Sequence, residues 1–485
     1  MDARTPPQSH RAQAAGAYDC ATDTANRDIL SAAEIADWMP FTRLPLPAAR
    51  AMPLRQRLAD SQCNTPGQAA GRRWAMGCVS LEITQRCNLD CTLCYLSEHA
   101  QAIRDLPQTE ILRRIDMIYA HYGPGTDVQV SGGEPTLRKR EELLAIVARI
   151  ADLGMRPALF TNGIRATREL LSALADVGLC DVAFHVDMTQ QRAGYNDETA
   201  LNALRKTYIE RARGLPLMVI FNTTVCASNF AAIASLTRFF VRHADVVGFA
   251  SFQLQAATGR GVLREREQII SADTTIAQIQ QGAGAHLDFD ALNAGHPRCN
   301  RYALSLVVGT TVHDVNVDRA LTAKMLAHMG TIDFSRTDRR ATRRAVARLL
   351  CTHPDLWWPS VKAVATFAWR ARRALFAARG KVHKLSFFVH NFMDAQHIER
   401  ERAHACVFMV ATAQGPLSMC VHNAKRDSFV LAPLDLMTAQ GKQRWEPLRC
   451  ASSDKPNPTL AAFPLKWMRG RARAAAAQAP ATPTV

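Results

Sequence analysis

The sequence predicts an α/β fold in which a parallel sheet carries its helices outside, closed or partly closed as a barrel, with a C-terminal α+β extension. Three observations carry that expectation. Six short β-rich runs follow one another between residues 78 and 254, amphipathic stretches separate them, and the run starts lie about 25–50 residues apart, the period of βα units. The runs are CVSLEIT (78–84), DVQVSG (127–132), RPALFTN (156–162), DVAFHVD (181–187), LMVIFNTTV (217–225) and VVGFASFQL (246–254). Between them, EELLAIVARIADLG places Leu143, Ile146, Val147 and Ile150 on one helical face, and RELLSALADVG and NFAAIASLTRFFVRHA read the same way. Six units in a row imply parallel strands joined by crossover helices. A doubly wound open sheet is the alternative, because strand order is not written in a single sequence.

Around this core, residues 76–260, the texture changes. Residues 1–75 are rich in Ala, Pro, Gln and Arg and read as a weakly ordered arm, with a short helix over Ile29–Trp38. After residue 260 the alternation fades into a mixed connecting region (261–335), a basic helical segment (336–384) and a cysteine-bearing region (385–465) with the β-like runs KLSFFVH, ACVFMVAT and PLSMCVHN. The end, 466–485, reads as a disordered tail.

Composition narrows the class. Of 485 residues 48% are apolar and 21% charged, which excludes wholesale disorder. Lys and Arg number 59 against 43 Asp and Glu, a formal charge of +16 that calls for nucleic acid, a membrane surface or an anionic substrate. Thirteen cysteines follow a start, MDARTPPQSHRAQ, without the apolar core of a secretion signal. A disulfide-rich secreted protein is therefore not expected. The uncharged stretch Val407–Ala424 holds Gln, Gly, Pro, His and Asn and is a poor membrane span. The expectation is a cytoplasmic, reduced protein whose thiols are available for metal.

The sharpest motif is RCNLDCTLCY. Cys87, Cys91 and Cys94 form C-x3-C-x2-C directly after the first strand, a spacing that binds a metal or cluster in a reduced compartment. Structural zinc takes four protein ligands, and the nearest fourth candidates are His99 and Cys78. Three thiolates suit a cubane iron–sulfur cluster with one iron open to substrate, whereas a fully ligated cluster uses four. A zinc site with a remote ligand remains the alternative. The second strand ends in Ser131-Gly132-Gly133-Glu134-Pro135, the third in Thr161-Asn162-Gly163 and the fourth in His185-Val186-Asp187. Two glycines admit close backbone approach, and the ends of successive parallel strands are where barrel enzymes build their sites.

On these residues, Cys87, Cys91, Cys94, Gly132, Gly133, Glu134 and Pro135, with Thr161, Asn162 and Gly163 in support, the chain resembles the radical S-adenosylmethionine (SAM) superfamily over roughly residues 78–255. The resemblance implies a partial (β/α)6, TIM-like barrel. It implies that the three cysteines hold a [4Fe-4S] cluster whose open iron chelates the amino and carboxylate groups of SAM, and that the GGEP segment lines the amino group. It implies reductive cleavage of SAM to a 5′-deoxyadenosyl radical that takes hydrogen from substrate, and a flavodoxin- or ferredoxin-like electron donor. One departure is Leu93, where the family often has an aromatic residue; here Tyr95 follows the last cysteine instead.

Other residues are ambivalent. His185 and Asp187 fall on one face of the fourth strand, either contacting SAM or substrate or forming a satisfied polar pair inside the barrel. Asn222 either touches the SAM ribose or is a buried structural amide. Arg260, after the sixth strand, could pair with the SAM carboxylate through its bidentate fork. Cys299 in HPRC, Cys406 and Cys420 are candidates for an auxiliary iron–sulfur cluster, completed by Cys450, His422 or substrate. A hairpin around Gly415-Pro416 would bring Cys406 and Cys420 together; ordinary buried thiols are the alternative. HPRC, VHNFMDA and the late cysteines resemble the subgroup of archaeal tetraether lipid synthases and pterin methylases. Peptide maturases with a SPASM extension are the rival, although their C-x2-C-x5-C run is missing here, as is the N-terminal C-x2-C pair of the first subgroup.

Between Arg336 and Lys384 stand thirteen Lys or Arg against two Asp, interleaved with Trp357, Trp358, Val361, Val364, Phe367, Trp369 and Phe376. This suits an anionic membrane surface, with a solvated helical face and nucleic acid as alternatives. The expected function is a radical SAM enzyme acting on an unactivated C–H bond of a lipid or other hydrophobic small molecule, cytoplasmic or peripheral at the membrane. Modification of RNA, a pterin or a peptide is the first alternative. A non-catalytic iron–sulfur carrier or scaffold is the second, against which the open three-cysteine site argues.

Overall fold

The computed structural model describes residues 78–259, 270–292, 295–316, 318–329, 339–438 and 441–448. In chain order the elements are β1 (Cys78–Thr84), α1 (Gln108–Tyr122), β2 (Asp127–Gly132), α2 (Arg140–Asp152), β3 (Arg156–Thr161), α3 (Arg168–Asp176), β4 (Asp181–His185), α4 (Asn202–Ala212), β5 (Met218–Val225), α5 (Ile233–Arg242) and β6 (Val247–Leu254). There follow α6 (Ala272–Ala283), β7 (Asn300–Val308), β8 (Thr311–Asp314), α7 (Arg319–Met329), α8 (Arg339–Thr352), α9 (Trp357–Ala377) and β9 (His383–His390). The last are α10 (Arg400–His404), β10 (Phe408–Ala411), β11 (Pro416–Ser418), α11 (Met419–Ala424), α12 (Arg426–Val430), β12 (Leu434–Thr438) and β13 (Gly441–Trp445).

Strands β1 to β6 pair in parallel and in sequence order. A doubly wound sheet needs a reversal of strand order, and none occurs, so that alternative falls. With right-handed crossovers all five helices lie on one face, and the sheet is the partial barrel. Strand parity then decides what faces inward. Phe184 and Phe221 point out, where they meet each other and, on the helices, Tyr208 and Phe240 at ring-centroid separations of 5.0–5.7 Å. Their neighbours His185 and Asn222 therefore point in. The four apolar residues expected on one face of α2 are all buried. The helix-facing side is thus the hydrophobic core, and the concave side is left for polar groups.

The sheet does not end at β1 and β6. Strand β10 adds in parallel to β1, and β9 adds in parallel to β6. Strands β11, β7 and β8 extend it antiparallel, making eleven strands among the described residues. The two added parallel strands approach one another without pairing. Phe408 of β10 lies 5.8 Å from Phe388 and 4.7 Å from His390 of β9, ring centroid to centroid. The barrel is thus drawn shut by an aromatic seam contributed by the C-terminal region. The expected hairpin around Gly415 and Pro416 forms between β10 and β11, but Cys420 falls just beyond it, on α11. The N-terminal arm, Arg260, Cys450 and the tail lie outside the described residues. No described helix is long and apolar enough to cross a membrane.

Candidate active site

The loop after β1 is fixed by its own backbone. Strand β1 carries a register shift between Glu82 and Thr84 against β2, a bulge of the kind that re-aims a chain near a site. From there the Thr84 carbonyl accepts from Gly133 N at 2.8 Å and the Arg86 carbonyl from Glu134 N at 2.8 Å. A Cβ on Gly132 would stand 2.1 Å from the Thr84 oxygen, and one on Gly133 2.1 Å from the Arg86 oxygen; Gly132 also has φ +122°. The close approach that demands two glycines is therefore made by the chain itself, not only by a ligand. Further ties hold the loop. Tyr95 OH donates to the Gly132 carbonyl at 2.7 Å, Asn162 Nδ2 to Asn88 Oδ1 at 2.7 Å, and Thr92 N to the Thr189 carbonyl at 2.8 Å.

Held this way, Cys87, Cys91 and Cys94 line one cavity of about 220 Å³ with Gly132, Gly133, Thr161, Asn162, His185 and Asn222. Ser80, Glu82, Gln129, Ser131, Thr224 and Gln253 supply the rest of its polar wall. These alternate along their strands with the outward apolar residues, so the cavity and the core are two faces of one sheet. The three thiols are partly buried and unbridged. They would fit a group that takes three thiolate ligands, with the glycine pair and the inward amides lining the same cavity.

Glu134 stands behind the lining. It is fully buried, and its carboxylate accepts from Thr136 Oγ1 (2.6 Å) and N (3.2 Å), Thr161 Oγ1 (2.7 Å) and Asn162 N (2.7 Å). It ties the end of β2 to the end of β3, and Pro135 opens the 3₁₀ turn that follows. Strand β4 stops at His185, two residues short of the expected end, because Asp187 turns inward and caps a 3₁₀ turn. Its carboxylate accepts from Thr189 N (2.9 Å) and Oγ1 (2.5 Å), Thr224 N (2.7 Å) and His185 Nε2 (2.8 Å). Burial raises the Asp187 pKa, but the His185 imidazole and these donors outweigh it and hold it at about 2. Asp187 thus orients His185, and only His185 faces the cavity.

Several residues escaped sequence reasoning. Arg426 of α12 enters the barrel and meets Glu82 of β1 in a fork, Nη1–Oε2 2.7 Å and Nη2–Oε1 2.9 Å, both side chains buried. Its guanidinium lies 4.5 Å from the ring centroid of Tyr95, beside the last cysteine. A glutamate on the inward face of CVSLEIT was the only legible signal; its partner lies 344 positions away. Burial raises the Glu82 pKa, but Arg426, His422 and Gln85 bring it to about 2.

Cys299, Cys406 and Cys420 come together, lining a second cavity with His296, His390 and Arg402. Arg402 Nε donates to Cys299 Sγ at 3.2 Å, Met393 N to Cys420 Sγ at 3.5 Å, and Cys406 Sγ to the Phe408 carbonyl at 3.1 Å. Burial raises all three thiol pKa values and pushes the His390 imidazole down to about 3, leaving a neutral nitrogen donor beside them. His422, considered as a completing ligand, is misplaced for that task. It lines a different cavity with Glu82 and Gln85, because α11 turns its side chain to the barrel side. Phe392 and Met419 line both the first and the second thiol cavity, so the two sites share a wall.

The profile of the radical SAM superfamily matches residues 81–221. The chain is similar to 7,8-dihydro-6-hydroxymethylpterin dimethyltransferase of Methanocaldococcus jannaschii, 27% identical over 38% of this chain and 37% of that protein. It is similar to PqqA peptide cyclase of Bradyrhizobium diazoefficiens, 38% identical over 21% of this chain and 27% of that one. Among solved structures, SuiB of Streptococcus suis bound to the precursor peptide SuiA matches at 16% identity and TM-score 0.33, over 42% of this chain and 46% of SuiB. The chain thus spans less than half the length of each of these relatives.

The Glu82–Arg426 pair carries a pH prediction. The folded pKa of Glu82, about 2, lies below its ordinary 4.5, so its contribution is complete above about 4.5 and is lost as pH falls towards 2. Arg426→Ala strands a buried carboxylate and is expected to cost about 3–5 kcal/mol near neutrality. Denaturant unfolding should show the gap to the parent narrowing at acid pH; a gap independent of pH would contradict the assignment.

Proposed function

We infer, from the match of residues 81–221 to the radical SAM superfamily, that Cys87, Cys91 and Cys94 hold a [4Fe-4S] cluster that binds SAM and that the protein is a radical SAM enzyme acting on an unactivated C–H bond. The observation that carries this reading is the meeting of three thiols and the Gly132–Gly133 pair in one cavity at the C-terminal ends of parallel strands. When bound, the cluster and SAM supply one-electron reductive cleavage of SAM and hydrogen abstraction from substrate. The protein supplies position. Gly132 and Gly133 expose backbone beside the thiols, where the amino group of SAM binds. Asn162 and Asn222 offer amide donors and acceptors for its polar groups. Asp187 holds His185 towards the substrate side. Glu134 keeps the ends of β2 and β3 in register. Leu93, Phe160, Leu254, Phe392 and Met419 give the cavity apolar patches that exclude water from reactive species.

Cys299, Cys406 and Cys420 hold an auxiliary iron–sulfur cluster in this reading. Neutral His390 or His296, or substrate, completes it, and Arg402 stabilises the Cys299 thiolate. The shared wall of Phe392 and Met419 puts that cluster next to the substrate space. The substrate is a lipid or other hydrophobic small molecule, and a flavodoxin- or ferredoxin-like protein delivers the electron. A pterin, a peptide or RNA is the alternative, which mass spectrometry after anaerobic incubation with lipid extract, pterin, peptide pools or tRNA separates.

Anaerobically reconstituted protein given SAM and dithionite is expected to release 5′-deoxyadenosine. Cys91→Ser should abolish the product, and Cys351→Ser, an exposed thiol on α8, should retain it. No product from protein with its iron in place would favour the electron-carrier reading. Iron and sulfide analysis tests the auxiliary site. We expect about eight irons per chain, falling to about four when Cys299, Cys406 and Cys420 are all serine; about four in both would remove the second cluster.

A further inference from the structure

Helix α9 has two apolar faces, and a soluble helix needs one. Its inner face is accounted for. Ala371 is buried, and Phe367 packs edge-on against His313 of β8 at 5.5 Å between ring centroids. Leu356, one residue before the helix, is buried with Leu321 of α7 and Leu349 of α8. The opposite face carries Trp357, Trp358, Val361, Val364, Trp369 and Phe376, all exposed; Trp358 is 75% and Phe376 90% accessible. Spacings of three, four and seven residues set them on one broad stripe. The helix has 21 residues, so the stripe is about 30 Å long.

Charge indicates what covers it. Neither α8 nor α9 contains an acidic residue, while α9 carries Lys362, Arg370, Arg372 and Arg373 and α8 five arginines. Arg372 lies over the Trp369 ring at 4.5 Å and donates to the Trp369 carbonyl at 2.7 Å. That arrangement holds the charge over the face of an exposed indole, an apolar body beside a polar head. A second copy of this face would bring like charges together, which disfavours self-association. Tryptophan, bulky aliphatics and cations on one exposed face, without acids, match an anionic lipid surface with the helix lying in the interface plane.

We propose that α9 docks the enzyme on anionic phospholipid bilayers, with Trp358, Trp369 and Phe376 inserted among the acyl chains and Arg370, Arg372 and Arg373 of the same helix at the headgroups. This goes beyond the reaction proposed above and does not need it. It gives the lipid-substrate reading a place where substrate is met.

Flotation of the reconstituted holoenzyme tests it. The protein should float with vesicles of phosphatidylcholine containing about one-third phosphatidylglycerol and stay down with pure phosphatidylcholine. Salt well above physiological strength should weaken binding. The triple variant Trp358→Ser, Trp369→Ser, Phe376→Ser should lose about tenfold or more in partitioning, while SAM cleavage with dithionite in vesicle-free buffer is unchanged. That second readout shows the variant folded and separates failure of docking from failure of the radical chemistry. Equal flotation with both vesicle types, none with either, or a triple variant that floats like the parent would overturn the proposal. So would a dimer that the same substitutions dissolve, which would give the face to a second copy. A tRNA complex that they abolish, without flotation, would give it to RNA.

Discussion

Two backbone carbonyls decide where the three thiols stand. Thr84 and Arg86 leave β1 through a bulge and press against the end of β2 so closely that side chains there would collide. The glycine pair is therefore first a packing requirement. It lets the cysteine loop lie flat across the strand end, and only then does it leave bare backbone for a ligand. Glu134 and Asp187 extend the same logic. Each is a buried carboxylate whose oxygens are occupied by hydroxyls and amides of neighbouring strand ends. Their work is to hold the rim of the barrel still. Preorganisation of this kind is what a site must have if the cofactor carries the hard chemistry and the protein only aims it.

The C-terminal region is part of that site rather than an appendage. Strands β9 and β10 flank the six barrel strands and meet at an aromatic seam, and Arg426 reaches back to Glu82 and Tyr95. A buried fork between a carboxylate and a guanidinium adds little net stability compared with apolar packing, but breaking it leaves an uncompensated charge. It therefore specifies how the extension seats. The same seating places the second group of thiols against the first cavity, with Phe392 and Met419 between them.

How much of this was legible follows from the range of each interaction. The six strands of the barrel were readable almost to the residue, because alternation, and the glycines at the end of β2 and the asparagine after β3, are local signals. The end of β4 was misplaced because Asp187 prefers its own amides to a strand ladder, a competition invisible in the string DVAFHVD. The three-thiol loop, the glycine pair, His185 and Asn222 were legible as types and positions. The division of labour was not: whether Glu134 and Asp187 touch the ligand or hold those that do depends on burial. A partner hundreds of residues away, such as Arg426 for Glu82, leaves no trace in one sequence. On α9 the apolar residues interleaved with the charges were legible, but not that Phe367 packs on β8 while Trp358, Trp369 and Phe376 stay exposed.

The central proposal is that Cys87, Cys91 and Cys94 would hold the cluster and that SAM would bind to it beside Gly132 and Gly133. The most direct measurement is electron–nuclear double resonance on the reduced holoenzyme with SAM labelled with nitrogen-15 at its amino group. The account predicts a hyperfine coupling between cluster and label that disappears in Cys91→Ser. A fully assembled, reduced cluster with SAM bound and no such coupling would contradict it.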